Sequence, residues 1–192
     1  MKETNLFYEK FRWFFTSKGN LVIGGKSDSQ NEVVLKEHLK PNYPVFHTAS
    51  PGSPFIIIQK ENPNKEEIYE AAIFCACFSK QWKLDFRKID VDLFYGKQIY
   101  KILGMKTGTF GVRGKIEKLT VKPELVLIIQ RGKIRAVPKG TSEEIICSIS
   151  QGKLNKEQAT LKILKIIKSK YHLPISKEEI MAAIPSDKLE IK

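Results

Sequence analysis

The stretch 106–115 combines positive charge with an uncovered backbone, which suits binding of an anion. It interleaves three cations with three glycines and contains no carboxylate. Glycine has no Cβ atom, so a phosphate or base edge could approach the backbone closely while the cations supply charge. The cations are Lys106, Arg113 and Lys115, and the glycines stand at 108, 111 and 114.

The same stretch lacks the spacing of a nucleotide-binding loop. Gly108 and Gly114 are one residue too far apart, and Ile116 stands where a magnesium-binding Ser or Thr is needed. The sequence also contains no nucleophile elbow, HExxH or CxxC motif, and its three histidines lie in unrelated contexts. It therefore predicts no catalysis, no metal and no cofactor.

Positive charge is concentrated around this stretch. The 192-residue chain carries a formal net charge of +12, and residues 80–122 hold eleven Lys or Arg against four Asp or Glu, a net of +7. Such an excess favours a polyanion, although a merely solvated basic surface is the plain alternative. The longest apolar run, 71–78, is too short to span a membrane, and the N-terminus lacks the apolar run of a signal peptide. We expect a cytoplasmic protein without a membrane partner.

A second candidate site follows the apolar residues that lead to His47. His47 and Thr48 precede the turn Ser50-Pro-Gly-Ser53, whose hydroxyls and free amides could hold a phosphate. The alternative is a histidine that fixes the turn through a hydrogen bond to the backbone. The sequence leaves both interpretations open.

Two clusters of aromatic and cationic residues are further candidates. Arg12 and Phe14 alternate with core-type aromatics, so they form either a stacking surface or part of the packing. Trp82 lies between Lys80 and Lys83 at a predicted helix end. It could stack on a base or close the core as an amphipathic tryptophan.

The predicted elements indicate an α+β fold: a mainly antiparallel sheet packed on a buried central helix, with a C-terminal helical subdomain. Asn64 and Glu67 form a capping box that starts the central helix, which runs to about Lys83 and is apolar on every face in its middle. A shorter helix is expected from Asp28 to Leu39. Strands are predicted at 11–16, 20–23, 55–58, 89–95, 110–113, 125–129 and 134–137, with one more ahead of the Pro-Gly turn.

The chain changes character at Thr141. Capping boxes at Thr141–Glu144 and Ser176–Glu179, and a weaker one at Asn155–Gln158, predict helices. We therefore divide the chain into a sheet-containing domain, 1–140, and a helical extension, 141–192. The cysteines at 75, 77 and 147 are expected to be reduced core residues.

The order of the motifs resembles the NFACT-R domain, the C-terminal RNA-binding module of the NFACT proteins of ribosome-associated quality control. The likeness covers roughly residues 8–130, and the tail is similar to the extension of archaeal-type members. Four blocks match in order: 11–25 with Asn31-Glu32 after it, Phe46-His-Thr with Pro51-Gly-Ser-Pro54, Ala71-Ala72 to Ser79-Lys-Gln-Trp82, and Thr107-Gly-Thr-Phe-Gly-Val-Arg-Gly-Lys115.

The resemblance implies binding of structured RNA, with tRNA on the large ribosomal subunit as the leading ligand and an NFACT-N-type protein as a further partner. Domain 1–140 would be the RNA-binding domain. The candidate RNA contacts, from the motifs and from the resemblance, are Arg12, His47, Thr48, Ser53, Ser79, Lys80, Trp82, Lys83, Lys106, Thr107, Arg113 and Lys115.

Two departures from the family pattern matter. Full NFACT proteins carry an NFACT-N domain, a helix-hairpin-helix module and a coiled coil that this sequence does not show, so tail elongation is not assigned to this chain alone. Ala49 and Ser50 stand where members often have an Asp, which weakens an acid-base or metal role for the turn. The alternatives are an RNA-processing or RNA-modifying enzyme that uses His47, and a protein-interaction module that docks an NFACT-N-like partner.

Overall fold

A computed structural model of the chain describes residues 6–141, 144–171 and 174–192. The fold is α+β, as predicted: two antiparallel sheets lie on either side of one buried helix. The helices of the described residues are α1 (Asp28–Glu37), α2 (Lys65–Cys77), α3 (Lys156–Lys170) and α4 (Lys177–Ala183), with short 3-10 helices at Lys80–Leu84 and Gly96–Gln98.

The first sheet has six strands. In spatial order they are β1 (Arg12–Phe15), β2 (Leu21–Gly24), β4 (Ile56–Ile58), β3 (Pro44–Thr48), β5 (Ile89–Tyr95) and β8 (Glu117–Val121). Every neighbouring pair is antiparallel. A separate two-stranded ribbon pairs β6 (Ile99–Tyr100) with β7 (Gly111–Val112). The loop between them, 101–110, contains the first half of residues 106–115, which we call the glycine stretch.

The second sheet has four strands. In spatial order they are β10 (Lys133–Val137), β9 (Leu125–Gln130), β11 (Cys147–Leu154) and β12 (Leu189–Ile191). Helices α3 and α4 pack against this sheet through an apolar cluster that includes Ile163, Ile167 and Ile180.

Helix α2 is buried because both sheets cover it. Its predicted capping box forms, with Asn64 accepting from the Glu67 amide and Glu67 accepting from the Asn64 amide. Phe74 and the small residues around it pack on Phe14 and Phe46 of the first sheet and on residues of β9 in the second. A helix enclosed in this way needs no polar face, which explains the apolar run in the sequence.

The opposite face of the first sheet is covered by α1 and the N-terminal segment. Trp13 and Ile23 from the sheet pack with Val34 and Leu35 of α1 and with Phe11. This layer places the beginning of α1 beside the turn that follows β3, and it thereby positions one end of the candidate site.

Two predictions about helices were wrong. Helix α2 ends at Cys77 rather than near Lys83, because the Ser79 side chain accepts from the Gln81 amide and starts a separate 3-10 helix. The extension after Thr141 is not purely helical, since β11 and β12 belong to it. In β11 the buried Cys147 and Ile149 alternate with the exposed Ser148, which is the period of a strand.

The second sheet joins segments from both sides of residue 140, because β9 pairs with β10 and also with β11. The expected capping box at Thr141–Glu144 includes residues outside the described ranges, whereas those at Asn155 and Ser176 form as predicted. The three cysteines are free and buried, also as predicted. Among the described residues, no helix is long and apolar enough to cross a bilayer.

Candidate nucleic-acid interface

A cleft of about 350 Å³ lies where the turn after β3, the start of α1 and the glycine stretch meet. Its lining includes His47, Gly52, Asp28, Thr107 and Phe110. Two motifs that are about 60 residues apart in the sequence therefore share one concave surface. The tertiary structure brings together His47 and Thr107, two of the predicted site residues.

The turn after β3 is held by its own hydroxyl groups. The Thr48 amide donates to Ser53 Oγ at 2.9 Å, and Thr48 Oγ1 donates to the Ser50 carbonyl at 2.6 Å. Both side chains are buried, with exposures of 2% for Thr48 and 9% for Ser53. Thr48 and Ser53 thus shape the turn, and the prediction that they contact RNA directly is corrected to a positioning role.

His47 combines the two interpretations that the sequence left open. Its Nδ1 lies 2.8 Å from the Thr48 carbonyl, so Nδ1 donates to the backbone while the half-buried ring still lines the cleft. Burial lowers the pKa of His47, although the Thr48 hydrogen bond and Asp92 act in the opposite direction. Asp92 is the cross-strand neighbour of His47 on β5. Asp92 also lines the cleft, and no local pattern in the sequence indicates its pairing with His47.

The glycine stretch is fastened to α1 by Glu32. The Gly108 amide donates to Glu32 Oε1 at 2.8 Å, and Lys101 forms an ion pair with the same carboxylate. Lys101 also donates to the Lys106 carbonyl at 3.1 Å. These hydrogen bonds and the ion pair therefore hold the loop against α1.

Two of the three glycines serve packing rather than access for a ligand. A Cβ atom at Gly108 would lie 2.9 Å from Asp28 Cα, and one at Gly111 would lie 2.2 Å from the Tyr100 ring. Gly108 and Gly114 also have positive φ, which glycine adopts without strain. The expectation that the glycines uncover the backbone for a ligand is corrected at positions 108 and 111.

A row of rings connects the two motifs across the cleft. His47 lies 4.7 Å from Phe55, and Phe55 lies 5.6 Å from Phe110, measured between ring centroids. Lys101 Nζ sits 4.6 Å from the Phe110 centroid. Phe110 is half-buried at the glycine stretch, so the row fixes the distance between the two walls.

The end of α2 contributes a cation and a buried tryptophan. Trp82 has no exposed surface, and its Nε1 donates to the Asp187 carbonyl at 3.0 Å. It therefore connects the 3-10 helix to the segment between α4 and β12, and neither face of its ring is available for stacking on a base. Ser79 is also buried, at 4% exposure. For Trp82 and Ser79, direct contact with RNA is corrected to a structural role.

Lys80 and Lys83 differ in their environments. The Lys80 amide donates to the Gly52 carbonyl at 2.8 Å, which joins the 3-10 helix to the turn after β3. The Lys80 side chain extends beside Gly52, where an added Cβ atom would meet it. Lys83 instead forms an ion pair with Asp187 at 3.4 Å. Lys80 is thus directed along the site and Lys83 away from it.

A second cavity of about 200 Å³ adjoins the cleft and is lined by Arg12, Lys26 and Lys80. The two cavities share Gly52, Ser53, Asp28 and Asn31 in their linings. We call the combined surface the basic groove. Arg12 was predicted from the sequence, whereas Lys26 was missed because it stands alone between turn residues.

Three further predicted contacts surround the cleft. Lys106, Arg113 and Lys115 are exposed and are direct chain neighbours of the lining residues Thr107, Val112 and Ile116. The carbonyls of Arg113 and Lys115 accept from Gln98 Nε2, which orders this backbone while the charged side chains point outwards. Within the described ranges, no group of three His, Cys, Asp or Glu side chains could hold a metal ion.

The fold and the groove define a basic two-sheet α+β module with a cation-lined concave surface. Residues 10–114 match the model of the NFACT protein RNA binding domain. Since this match covers more than half of the chain, the chain belongs to that family. All predicted site residues except Lys115 lie inside the matched range.

Relatives with this module are named as ribosome quality control factors. The chain is 30% identical over its whole length to the archaeal Rqc2 homolog aRqcH of Methanocaldococcus jannaschii, and it spans 30% of that protein's length. It is 34% identical to the human ribosome quality control complex subunit NEMF over 56% of the chain, which corresponds to 11% of NEMF.

A solved structure shows a similar fold. The C-terminal part of the fibronectin/fibrinogen-binding protein of Streptococcus suis matches with a TM-score of 0.55 and 25% identity. The match covers 64% of this chain and 49% of that one.

Proposed function

We propose that this chain is the RNA-contacting module of a ribosome quality control factor, that it acts in the cytoplasm, and that its leading ligand is tRNA on the large ribosomal subunit. The observation that carries this proposal is the basic groove, where a cleft and a cation-lined cavity meet beside exposed cations. Family membership supplies RNA as the class of ligand. The binding itself requires no catalysis.

Charged side chains supply most of the affinity in this mechanism. Lys80, Lys106, Arg113 and Lys115 are exposed, and each can neutralise a phosphate. The backbone amides of Thr48 and Gly108 are already used within the protein. We therefore assign the two turns the task of fixing where the cations stand, and we assign direct contact to the cations and to Thr107.

The salt dependence of tRNA binding tests this proposal. We expect the dissociation constant to rise steeply between about 50 and 200 mM salt. Four phosphate contacts would give a slope of roughly −3 to −4 when the logarithm of the association constant is plotted against the logarithm of the salt concentration. Fluorescence anisotropy with labelled tRNA measures the slope. An affinity that is flat over this range would contradict the proposal.

A second candidate function rests on the cross-strand pair of His47 and Asp92 in the cleft. A histidine whose pKa is lowered by burial is neutral at physiological pH and can accept a proton. Labelled tRNA incubated with the protein and divalent metal ions would show cleaved or altered nucleotides if this site is catalytic. Products that disappear in His47→Ala would favour the enzyme over the binding module.

A further inference from the structure

The cavity beside the turn after β3 is lined by Arg12, a cation that is only partly exposed to solvent. Arg12 enters from β1, its guanidinium lies 4.6 Å from the Phe78 ring, and its Nε is buried without a hydrogen-bond partner among the described residues. Burial lowers the pKa of Arg12 to about 10, so the side chain remains charged at neutral pH. A buried, unpaired charge is costly unless a ligand compensates for it.

Other cations surround Arg12. Lys26 and Lys80 line the same cavity. Burial, and then the charges of Arg135 and Arg12, lower the pKa of Lys26. Arg135 lies behind Arg12 in the narrow space between the sheets, with its guanidinium 4.6 Å from the Trp13 ring. These side chains therefore repel one another in the absence of an anion.

The cavity has room for a tetrahedral anion. Its volume of about 200 Å³ is several times the roughly 30 Å³ that one water molecule occupies. Asp28 is the one carboxylate in its lining, and that residue also packs against Gly108 at the boundary with the cleft.

We propose that the cavity formed by Arg12, Lys26 and Lys80 is a phosphate-binding subsite that takes one phosphate group of the bound RNA. The proposal rests on the RNA-binding function above and deepens it. The Arg12 Nε donates to a phosphate oxygen, Lys26 and Lys80 neutralise its charge, and Arg135 strengthens the positive potential from behind. A nucleotide anchored here places the neighbouring nucleotide in the cleft beside His47.

An NMR titration of the full chain tests the subsite, with inorganic phosphate as the first probe and sodium chloride at equal ionic strength as the control. We expect a saturable shift of the Arg12 Nε–H resonance with phosphate only. A second titration uses one RNA oligonucleotide with and without a 5′ phosphate. A shift with both forms assigns a backbone phosphate, and a shift with only the phosphorylated form assigns a terminal phosphate.

Two variants separate binding from folding. Arg12→Met keeps apolar cover over Phe78, so we expect a folded protein of equal or greater stability that gains no thermal stabilisation from phosphate. Lys26→Ala should weaken phosphate binding by about tenfold, whereas Lys165→Ala on α3, an exposed lysine outside both cavities, should leave it unchanged.

The two proposals can fail separately. RNA binding with an unmoved Arg12 resonance would overturn the subsite while leaving the proposed function intact. An absence of RNA binding at low salt would overturn the proposed function. A phosphate response that is retained in Arg12→Met would also overturn the subsite.

Discussion

The basic groove and helix α3 are both rich in positive charge, yet they are built differently. Helix α3 carries five lysines and one glutamate on a convex surface, with its buried side fixed by isoleucines such as Ile163. The groove carries its cations around two cavities. Its walls are fixed by polar ties, such as Glu32 to Gly108 and Ser53 to Thr48.

This difference shows that net charge alone does not define a site. An exposed lysine on a convex helix is well hydrated and gains little from one specific anion. A cation such as Arg12, partly stripped of water and surrounded by other cations, gains more. We therefore expect the groove, and not α3, to bind RNA.

The largest expected effect on stability lies on the α3 side. Ile163 is fully buried, so Ile163→Ala should lower the free energy of unfolding by about 2–5 kcal/mol. Leu161 on the same helix is 46% exposed, and Leu161→Ala should change stability by less than about 0.5 kcal/mol. Urea denaturation measures both. If folded Ile163→Ala binds tRNA more weakly than the parent, the separation of the two regions is wrong.

Charge reversal tests the comparison directly. Arg113→Glu with Lys115→Glu should lower tRNA affinity on the order of a hundredfold and flatten the logarithmic salt slope by roughly 2. Lys165→Glu with Lys168→Glu makes the same change in net charge on exposed positions of α3. This matched pair of substitutions should lower tRNA affinity by less than about threefold. Equal losses from both pairs would mean that overall charge, rather than the groove, controls binding.

The hydrogen bonds to Glu67 at the start of α2 predict a pH-dependent stability. Glu67 is buried, which raises its pKa, but hydrogen bonds from Asn20, the Asn64 amide and Thr16 outweigh burial, so the net pKa falls below the usual 4.5. A lowered pKa means that the ionised form stabilises the fold above about pH 4.5 and that this contribution is lost as pH falls. Glu67→Gln should therefore cost about 1.5–3 kcal/mol at neutral pH and progressively less in acid.

Glu70 on the same helix is a control, because its pKa is shifted in the opposite direction to that of Glu67. Burial raises the pKa of Glu70 even though the Ser17 amide donates to it at 3.0 Å. Its ionised form therefore costs stability at neutral pH, and the parent protein should gain relative to Glu70→Gln as pH falls. Denaturation of the parent and both variants from pH 3 to pH 7 measures the two trends. If the stability differences of Glu67→Gln and Glu70→Gln from the parent changed in the same direction with pH, the opposite pKa shifts of the two carboxyl groups would be refuted.

The smallest expected effect concerns the glycine stretch. Gly108 and Gly104 both have positive φ, +77° and +92°, but only Gly108 is packed, against Asp28. Alanine at either position pays the backbone strain, and Gly108→Ala must also displace α1. We expect Gly108→Ala to lose about 1 kcal/mol more than Gly104→Ala and to weaken tRNA binding a few-fold. Thermal melts and anisotropy on both variants measure the difference, and equal behaviour would show that the contact with α1 does not position the loop.

Local chemistry made much of the fold predictable. Several elements were confirmed because a few neighbouring residues determine each: the capping boxes at Asn64, Asn155 and Ser176, the strand Ile89–Tyr95, and the strands predicted at 125–129 and 134–137. Strand β8 was missed because it is mostly exposed, so its pattern lacks apolar alternation. Strand β11 was missed because the sequence after Thr141 was interpreted as helical throughout.

The sequence by itself determined the basic character and the family, and it predicted a set of candidate site residues. The tertiary structure decided the role of each one, because burial depends on what packs from distant segments. Trp82 is enclosed by residues from the region of the second sheet. Thr48 and Ser53 form hydrogen bonds within their own turn, and the absence of a Cβ atom at Gly108 and Gly111 leaves space for Asp28 and Tyr100. Only the folded chain brings Arg12, Lys26 and Lys80 around one cavity. Their separation along the chain hides this arrangement from any local pattern.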